Sequence, residues 1–280
     1  MERLALNSPA KLNLMLHITG RRGDGYHLLQ TVFQFIDLCD RMVFGVTEDG
    51  TISRIESNSA VPENEDISLY AAQVLQRRAN LSQGVEISIN KRIPIGGGLG
   101  GGSSNAATTL LALNRLWGLD LSVAELAEIG LELGADVPFF VTGYSAWATG
   151  IGEQLSRVDL PEPWQLIIDP GIVVSTTKIF AAQELTRNCD AITIRAFLEG
   201  SGTNVCQPVA CSLYPEIQQA IDWLGHYSAT RMTGTGACVF APFDSLEQAE
   251  SVKLRMPGRW NSFIGKAMNL NPVHQQLGLL

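Results

Sequence analysis

Between Pro94 and Ala107 the chain reads PIGGGLGGGSSNAA, with six glycines in seven consecutive positions. Glycine loses more backbone freedom on folding than any other residue, so ordering such a run needs a compensating reason. One reason is a backbone that passes close to a ligand. Glycines leave the peptide N–H groups unobstructed, and a helix starting near Ser103 adds the positive end of its dipole. That combination predicts a loop that holds phosphate; the alternative is a merely flexible connection. The flanks weigh against the alternative. VEISIN (85–90) alternates as a strand does, and NAATTLLALNRLW (105–117) has helical spacing, so the run joins two ordered elements.

Several phosphate-loop classes are excluded by detail. A Walker A loop ends in Gly-Lys-Ser/Thr, whereas Gly102 is followed directly by Ser103. Gly96, Gly98 and Gly101 satisfy G-x-G-x-x-G, but a dinucleotide fold then needs a second strand ending in an acidic residue about twenty positions on. Asp120 lies near that distance, yet it sits between two helical segments, ALNRLWGL and SVAELAEIGLELG. The strand lysine and His-Arg-Asp loop of protein kinases are missing.

A chain of 280 residues with 45% hydrophobic content can bury one large core or two ordinary ones. The net charge of −8 and pI near 5.0 argue against a general nucleic-acid surface or an anionic-membrane surface. A polyphosphate still fits, provided a local cradle of N–H groups and a few cations opposes the overall field. Five cysteines without a C-x-x-C pair read as free thiols of a cytoplasmic protein. Charges at Arg3 and Lys11 interrupt the first fifteen residues, which predicts no secretion signal, and no stretch reads as a membrane span.

Leu12, Leu14, Leu16 and Ile18 alternate with Lys11, Asn13, Met15 and His17, which predicts a strand with Lys11 and Asn13 on one face. Further strands are expected at 31–38, 42–47 and 51–56, a helix at 67–80, and helices on both sides of Asp120. The segment 134–153 is mixed, and the prolines of EQLSRVDLPEPW (153–164) mark a boundary. Beyond it come strands at 165–169, 229–233, 237–241 and 260–267, with helices at 176–185, 191–199, 214–226 and 245–256. Short strands mixed with helices, without a long parallel series, predict an α+β protein of two lobes, 1–155 and 156–280, each a sheet packed with helices.

Three other segments are candidates for chemistry. In PAKLNLMLHITGRRGDGYHLLQT (9–31), Lys11 is either an exposed strand lysine or a site cation beside Asn13. Tyr26 and His27, on a glycine-flanked turn, offer a stacking ring and a hydrogen-bonding edge to a flat ligand, or else form an ordinary surface turn. In GADVP (134–138), Asp136 is either a helix N-cap or a group that takes the proton of an attacking hydroxyl or binds Mg²⁺. In TGTGAC (233–238), Gly234 and Gly236 allow close backbone approach or a tight hairpin. His17, His226 and His274 have no metal-like partners and read as core or surface histidines.

Taken in order, the PAKLNL…DGYH segment, the GGGLGGGSSNAA loop, the GADVP turn and the TGTGAC loop resemble the GHMP small-molecule kinases, over a span from Pro9 to about Gly265. The resemblance implies ATP as phosphoryl donor, Mg²⁺ and a small-molecule alcohol acceptor, with neither nucleic acid nor membrane as partner. The catalytic pair falls on Lys11 and Asp136, the carboxylate taking the hydroxyl proton and the ammonium offsetting charge on the transferring group. The ATP loop comprises Pro94, Gly96, Gly97, Gly98, Leu99, Gly100, Gly101, Gly102, Ser103 and Ser104. Within the family, Asn13, Tyr26 and His27 match the positions that recognise cytidine, which implies phosphorylation of the 2-hydroxyl of a cytidine-diphosphate-linked methylerythritol. The alternatives are another alcohol of homoserine or mevalonate type, or a non-catalytic sensor on the same fold. Glu65-Asp66 is followed by Ile67-Ser68 where the family commonly has Asn-Leu, leaving nucleoside contacts there to the backbone.

Overall fold

Two long strands, β1 (Arg3–Arg21) and β2 (His27–Thr47), pair antiparallel as one hairpin that spans the molecule. Their turn is built by its own side chains: Tyr26 N donates to Asp24 Oδ1 at 3.1 Å, and Arg22 N to Tyr26 O at 2.7 Å. The computed structural model describes residues 3–58 and 60–279. After the hairpin come β3 (Ile52–Ser57), α1 (Ile67–Ala79) and β4 (Gly84–Asn90), then the glycine loop and α2 (Gly101–Leu116), α3 (Val123–Leu133) and α4 (Val137–Thr142). Next are β5 (Ala146–Thr149), β6 (Gln154–Arg157), β7 (Trp164–Asp169), α5 (Thr176–Ala181), α6 (Ile194–Leu198), α7 (Cys206–Leu213) and α8 (Pro215–Gly225). β8 (Arg231–Met232), β9 (Val239–Phe243), α9 (Leu246–Lys253), β10 (Asn261–Met268) and α10 (Pro272–Leu277) follow.

The strands run in the order β3-β4-β2-β10-β7-β9-β8, with β1 and β5 also on β2 and β6 on β5. Helices pack on this sheet, which is the α+β arrangement expected. One core gathers Phe33, Phe35 and Phe44 of β2 with Phe139 and Phe140 of α4 and the apolar faces of α1, α2 and α3. A second gathers Leu166 and Ile168 of β7 with Ile217 and Leu224 of α8 and Val239 of β9. Leu16 and Ile18 of β1 enter this second core, and Val273 of α10 returns to the first. Among the described residues no helix is long and apolar enough to cross a membrane.

The alternation of β1 departs from strict period two. The pairing with β2 shifts register between Asn13 and Met15. A bulge at this point reverses which side chains face which side, so Leu16 lines the same cavity as Lys11 and Asn13. Both faces of the strand are covered: Lys11 and Asn13 are each 4% exposed, and Leu12 is fully buried. Helices α7 and α10 were not expected, and the helix read as 176–185 ends at Ala181.

Helix α10 and the residue before it close the C-terminal end of α4, whose last carbonyls lack intrahelical donors. Asn271 Nδ2 donates to Phe140 O at 2.8 Å, and the buried His274 places Nε2 2.8 Å from Val141 O. Burial holds the His274 pKa below its usual 6.5, against the opposing pull of the Val141 bond. Burial lowers that of His17 as well. Just below pH 6.5 the unfolded chain therefore binds more protons than the folded one, and stability falls as pH drops. Urea midpoints taken between pH 7 and pH 5 are expected to decline. His274→Gln is expected to cost about 1 kcal/mol at pH 7 from the changed bond and to flatten that decline. A decline as steep as in the parent protein would assign the acid sensitivity elsewhere.

Candidate active site

Lys11 stands at the centre of the site because β1 carries it between β2 and the glycine loop. Its backbone N donates to Leu99 O at 3.0 Å, tying the loop to the strand. Its ammonium donates to Asn13 Oδ1 at 2.5 Å and Gly98 O at 3.2 Å, and lies 3.3 Å from Asp136 Oδ2. The Phe33 ring lies 5.4 Å away on the remaining side. An exposed strand lysine is thereby excluded. Asp136 occupies the N-cap position of α4 but makes no capping hydrogen bond, so its carboxylate, one-third exposed, is turned to Lys11 instead.

The glycine loop is crowded by protein on its inner side. Gly98 has φ +76°, and a Cβ there would sit 2.4 Å from Thr233 O and 3.0 Å from Gly236 O. At Gly100, with φ +71°, a Cβ would meet the Lys11 stem and the Phe140 ring at 3.0 and 2.9 Å. The TGTGAC segment does turn between β8 and β9, and it also clasps this loop. Cys238 N donates to Gly97 O at 3.1 Å, and Asn13 N to Thr233 Oγ1 at 2.9 Å. Burial raises the Cys238 thiol well above its ordinary range, so it packs behind the loop as an inert side chain. Beneath the loop, the fully buried Asp40 accepts from Arg92 N, Ile93 N and Asn105 Nδ2 at 2.7, 2.9 and 3.0 Å and pairs with Lys91.

Two cavities share the loop as a wall. The smaller, about 340 Å³, is lined by Pro94 through Ser103 together with Glu65, Asp66, Ile67 and Lys91. The N-terminal turn of α2 forms part of its lining, the arrangement that favours phosphate. The larger, about 820 Å³, holds Lys11, Asn13, Tyr26, His27 and Asp136. Gly98 and Gly100 line both. Of the catalytic pair, the ATP loop and the base-recognising residues read from sequence, Ser104 alone lies away from the cavities: fully buried, its Oγ is 2.7 Å from Ser8 Oγ and its N–H donates to Gly100 O. Asp66 is the N-cap of α1 and pairs with Arg54 at 2.7 Å, so part of its charge is already committed.

At the far end of the larger cavity Tyr26 stands 61% exposed at the mouth. The His27 ring stacks on Phe180 of α5, centroids 5.1 Å apart at 21°. Phe180, Thr176 and Thr177 were not singled out from the sequence. An aromatic inside an amphipathic helical segment reads as core, and only the fold brings α5 over the hairpin turn. Burial first, then the nearby Arg187 and Arg21, hold His27 below its usual pKa of 6.5, which keeps the ring neutral near pH 7.

Residues 66–144 match the family profile described as GHMP kinases N terminal domain, and residues 182–262 match GHMP kinases C terminal. The chain belongs to the GHMP kinases. It is 54% identical over 262 residues, 94% of each chain, to the 4-diphosphocytidyl-2-C-methyl-D-erythritol kinase of Nitrosococcus oceani. It is 48% identical to the enzyme of the same name from Hahella chejuensis, covering 99% of this chain and 97% of that one. Its fold superposes on a crystal structure of 4-(cytidine 5'-diphospho)-2C-methyl-D-erythritol kinase with TM-score 0.83 at 29% identity, over 94% of this chain and 99% of the other.

Because Gly98 borders both cavities, Gly98→Ala is expected to disturb both. Its left-handed backbone alone costs an alanine about 1–2 kcal/mol, and the added methyl must also displace the Thr233 carbonyl. Melting temperature should fall, and KM should rise for nucleotide and acceptor together. A KM change confined to one of them would mean that the loop does not serve as a common wall.

Proposed function

We propose that this chain is an ATP-dependent kinase that phosphorylates the 2-hydroxyl of 4-diphosphocytidyl-2-C-methyl-D-erythritol, a step of non-mevalonate isoprenoid precursor synthesis. The observation that carries the reading is the placement of the Lys11–Asp136 pair beside the wall common to the two cavities. The nucleotide occupies the smaller cavity, its phosphates against Gly96–Ser103. The acceptor occupies the larger one, its cytosine stacked on the Tyr26 ring with the His27 edge facing the polar edge of the base, and with Asn13 beside the lysine. The names of the relatives and the aromatic end of the larger cavity favour this acceptor over a plain polyol of homoserine or mevalonate type, which has no base to stack.

In the transfer, the acceptor hydroxyl oxygen forms a bond to the γ-phosphorus as the bond from that phosphorus to the β-bridging oxygen breaks. The hydroxyl proton passes to the Asp136 carboxylate. A loose phosphoryl transition state needs alignment and charge neutralisation more than covalent help. The Lys11 ammonium, held by Asn13 and Gly98 O, offsets charge on the transferring group without reorganising. The donor set suits magnesium that arrives on the nucleotide: among the described residues no three His, Cys, Asp or Glu side chains cluster as a resident metal site. Mg²⁺ of this kind would keep mostly phosphate and water oxygens and take one or two protein ligands, for which Ser103 of the nucleotide cavity is available. It would neutralise charge on the β- and γ-phosphates. The reading includes a cytoplasmic location, in keeping with five cysteines that are all unpaired.

The reading is tested by ADP release with the cytidylyl acceptor, mevalonate and homoserine offered separately. Turnover is expected on the first alone; turnover on either of the others in its place would reassign the acceptor. Asp136→Asn is expected to lower turnover about 10²- to 10⁴-fold, the range for a lost general base, and to lower melting temperature as well, because the buried Lys11 ammonium loses its anionic partner. Adding Lys11→Met to it should cost little more than the worse single variant, as for residues that act as a unit. Near-normal turnover of Asp136→Asn would remove the carboxylate from the chemistry.

A further inference from the structure

Arg187 lies 160 positions from His27 in the chain, beyond the C-terminal end of α5. Its Nε sits 3.2 Å from His27 Nε2. The rest of its guanidinium is spent on backbone: Nη2 donates to Phe180 O at 2.8 Å and Ala182 O at 2.7 Å, and Nη1 to Leu185 O at 3.0 Å. These carbonyls belong to the end of α5 and the segment after it, where acceptors lack intrahelical donors and a cation is favoured. One planar group thus holds the helix end that carries Phe180 and the imidazole that stacks on it.

A guanidinium has only donors, so the imidazole nitrogen facing it must be an acceptor. The proton of the neutral ring then resides on Nδ1. We propose that Arg187 is a positioning residue that fixes His27 in its Nδ1–H form and so makes the larger cavity select cytosine over uracil. The inference rests on the cytidylyl reading of that cavity. A ring that presents a fixed donor matches the N3 acceptor of cytosine. Uracil carries N3–H at the same place, and two facing donors leave both unsatisfied. Without Arg187 the ring is free to exchange tautomers, present an acceptor, and accommodate either base. Lysine does not replace it, because a single ammonium lacks the planar fork that reaches an imidazole and three carbonyls together.

The test compares Arg187→Lys and Arg187→Gln with the parent enzyme on cytidine- and uridine-linked acceptors. Both variants are expected to raise KM for the cytidine-linked acceptor about tenfold, to shift KM for ATP less than about twofold, and to shrink the cytidine-to-uridine ratio of kcat/KM by about tenfold. An unchanged ratio in either folded variant, or full rescue by lysine, would overturn the proposal. A long-range ¹H–¹⁵N correlation spectrum of the parent enzyme provides a check that needs no variant to fold. A His27 proton on Nδ1 is expected, and a proton on Nε2 would overturn the assignment. If the parent enzyme uses neither pyrimidine acceptor, the substrate reading fails, and the tautomer spectrum still decides the role of Arg187.

Discussion

A buried ammonium is the condition on which the rest of this molecule depends. Taking the Lys11 charge out of water costs several kcal/mol unless it is paired and hydrogen-bonded. The partners come from three places: Asn13 on the same strand, the Gly98 carbonyl of the loop, and Asp136 ahead of α4. Each partner needs its own support. Asp136 is placed by a six-residue helix whose far end is closed by Asn271 and His274. Gly98 is placed by the 233–238 turn that touches it, and Asn13 by Thr31 and Thr233. The hairpin, the loop, α4 and the C-terminal residues therefore converge on one nitrogen atom.

That convergence explains the glycines differently from a simple ligand cradle. At Gly98 and Gly100 a side chain is forbidden by neighbouring protein: the Thr233 carbonyl, the Lys11 stem and the Phe140 ring. The backbone is thin there because two cavities must come close to each other across it. Under the proposed function, a thicker wall would separate the nucleotide from the acceptor. On that reading, the cost of ordering so many glycines is tied to bringing two reactants to the same cation.

Much of this arrangement was legible in the chain. Lys11 and Asn13, the glycine run, the GADVP turn and the Tyr26-His27 pair all carry local signals, and the structure brings them to the two cavities. What escaped the sequence was set by distant contacts. Period two predicted an unbroken face on β1, but the register shift after Asn13 depends on pairing with β2 and brought Leu16 to the Lys11 side. Ser104 looked like part of the phosphate loop, yet the buried Ser8 claims its hydroxyl. Phe180 and Arg187 read as ordinary helix and loop residues, because only the packing of α5 over the hairpin turn places them against His27. Helices α7 and α10 are short, eight and six residues, and too brief to show a periodic signal above the surrounding polar sequence.

The central claim is that donor and acceptor occupy separate cavities on either side of one glycine wall and meet at Lys11 and Asp136. Calorimetric titration of the cytidylyl acceptor into protein saturated with a non-hydrolysable ATP analogue tests it directly. The two-cavity account predicts a ternary complex, with the acceptor binding once per chain at an affinity little changed by the nucleotide. Mutually exclusive binding, in which saturating nucleotide abolishes the acceptor signal, would contradict it.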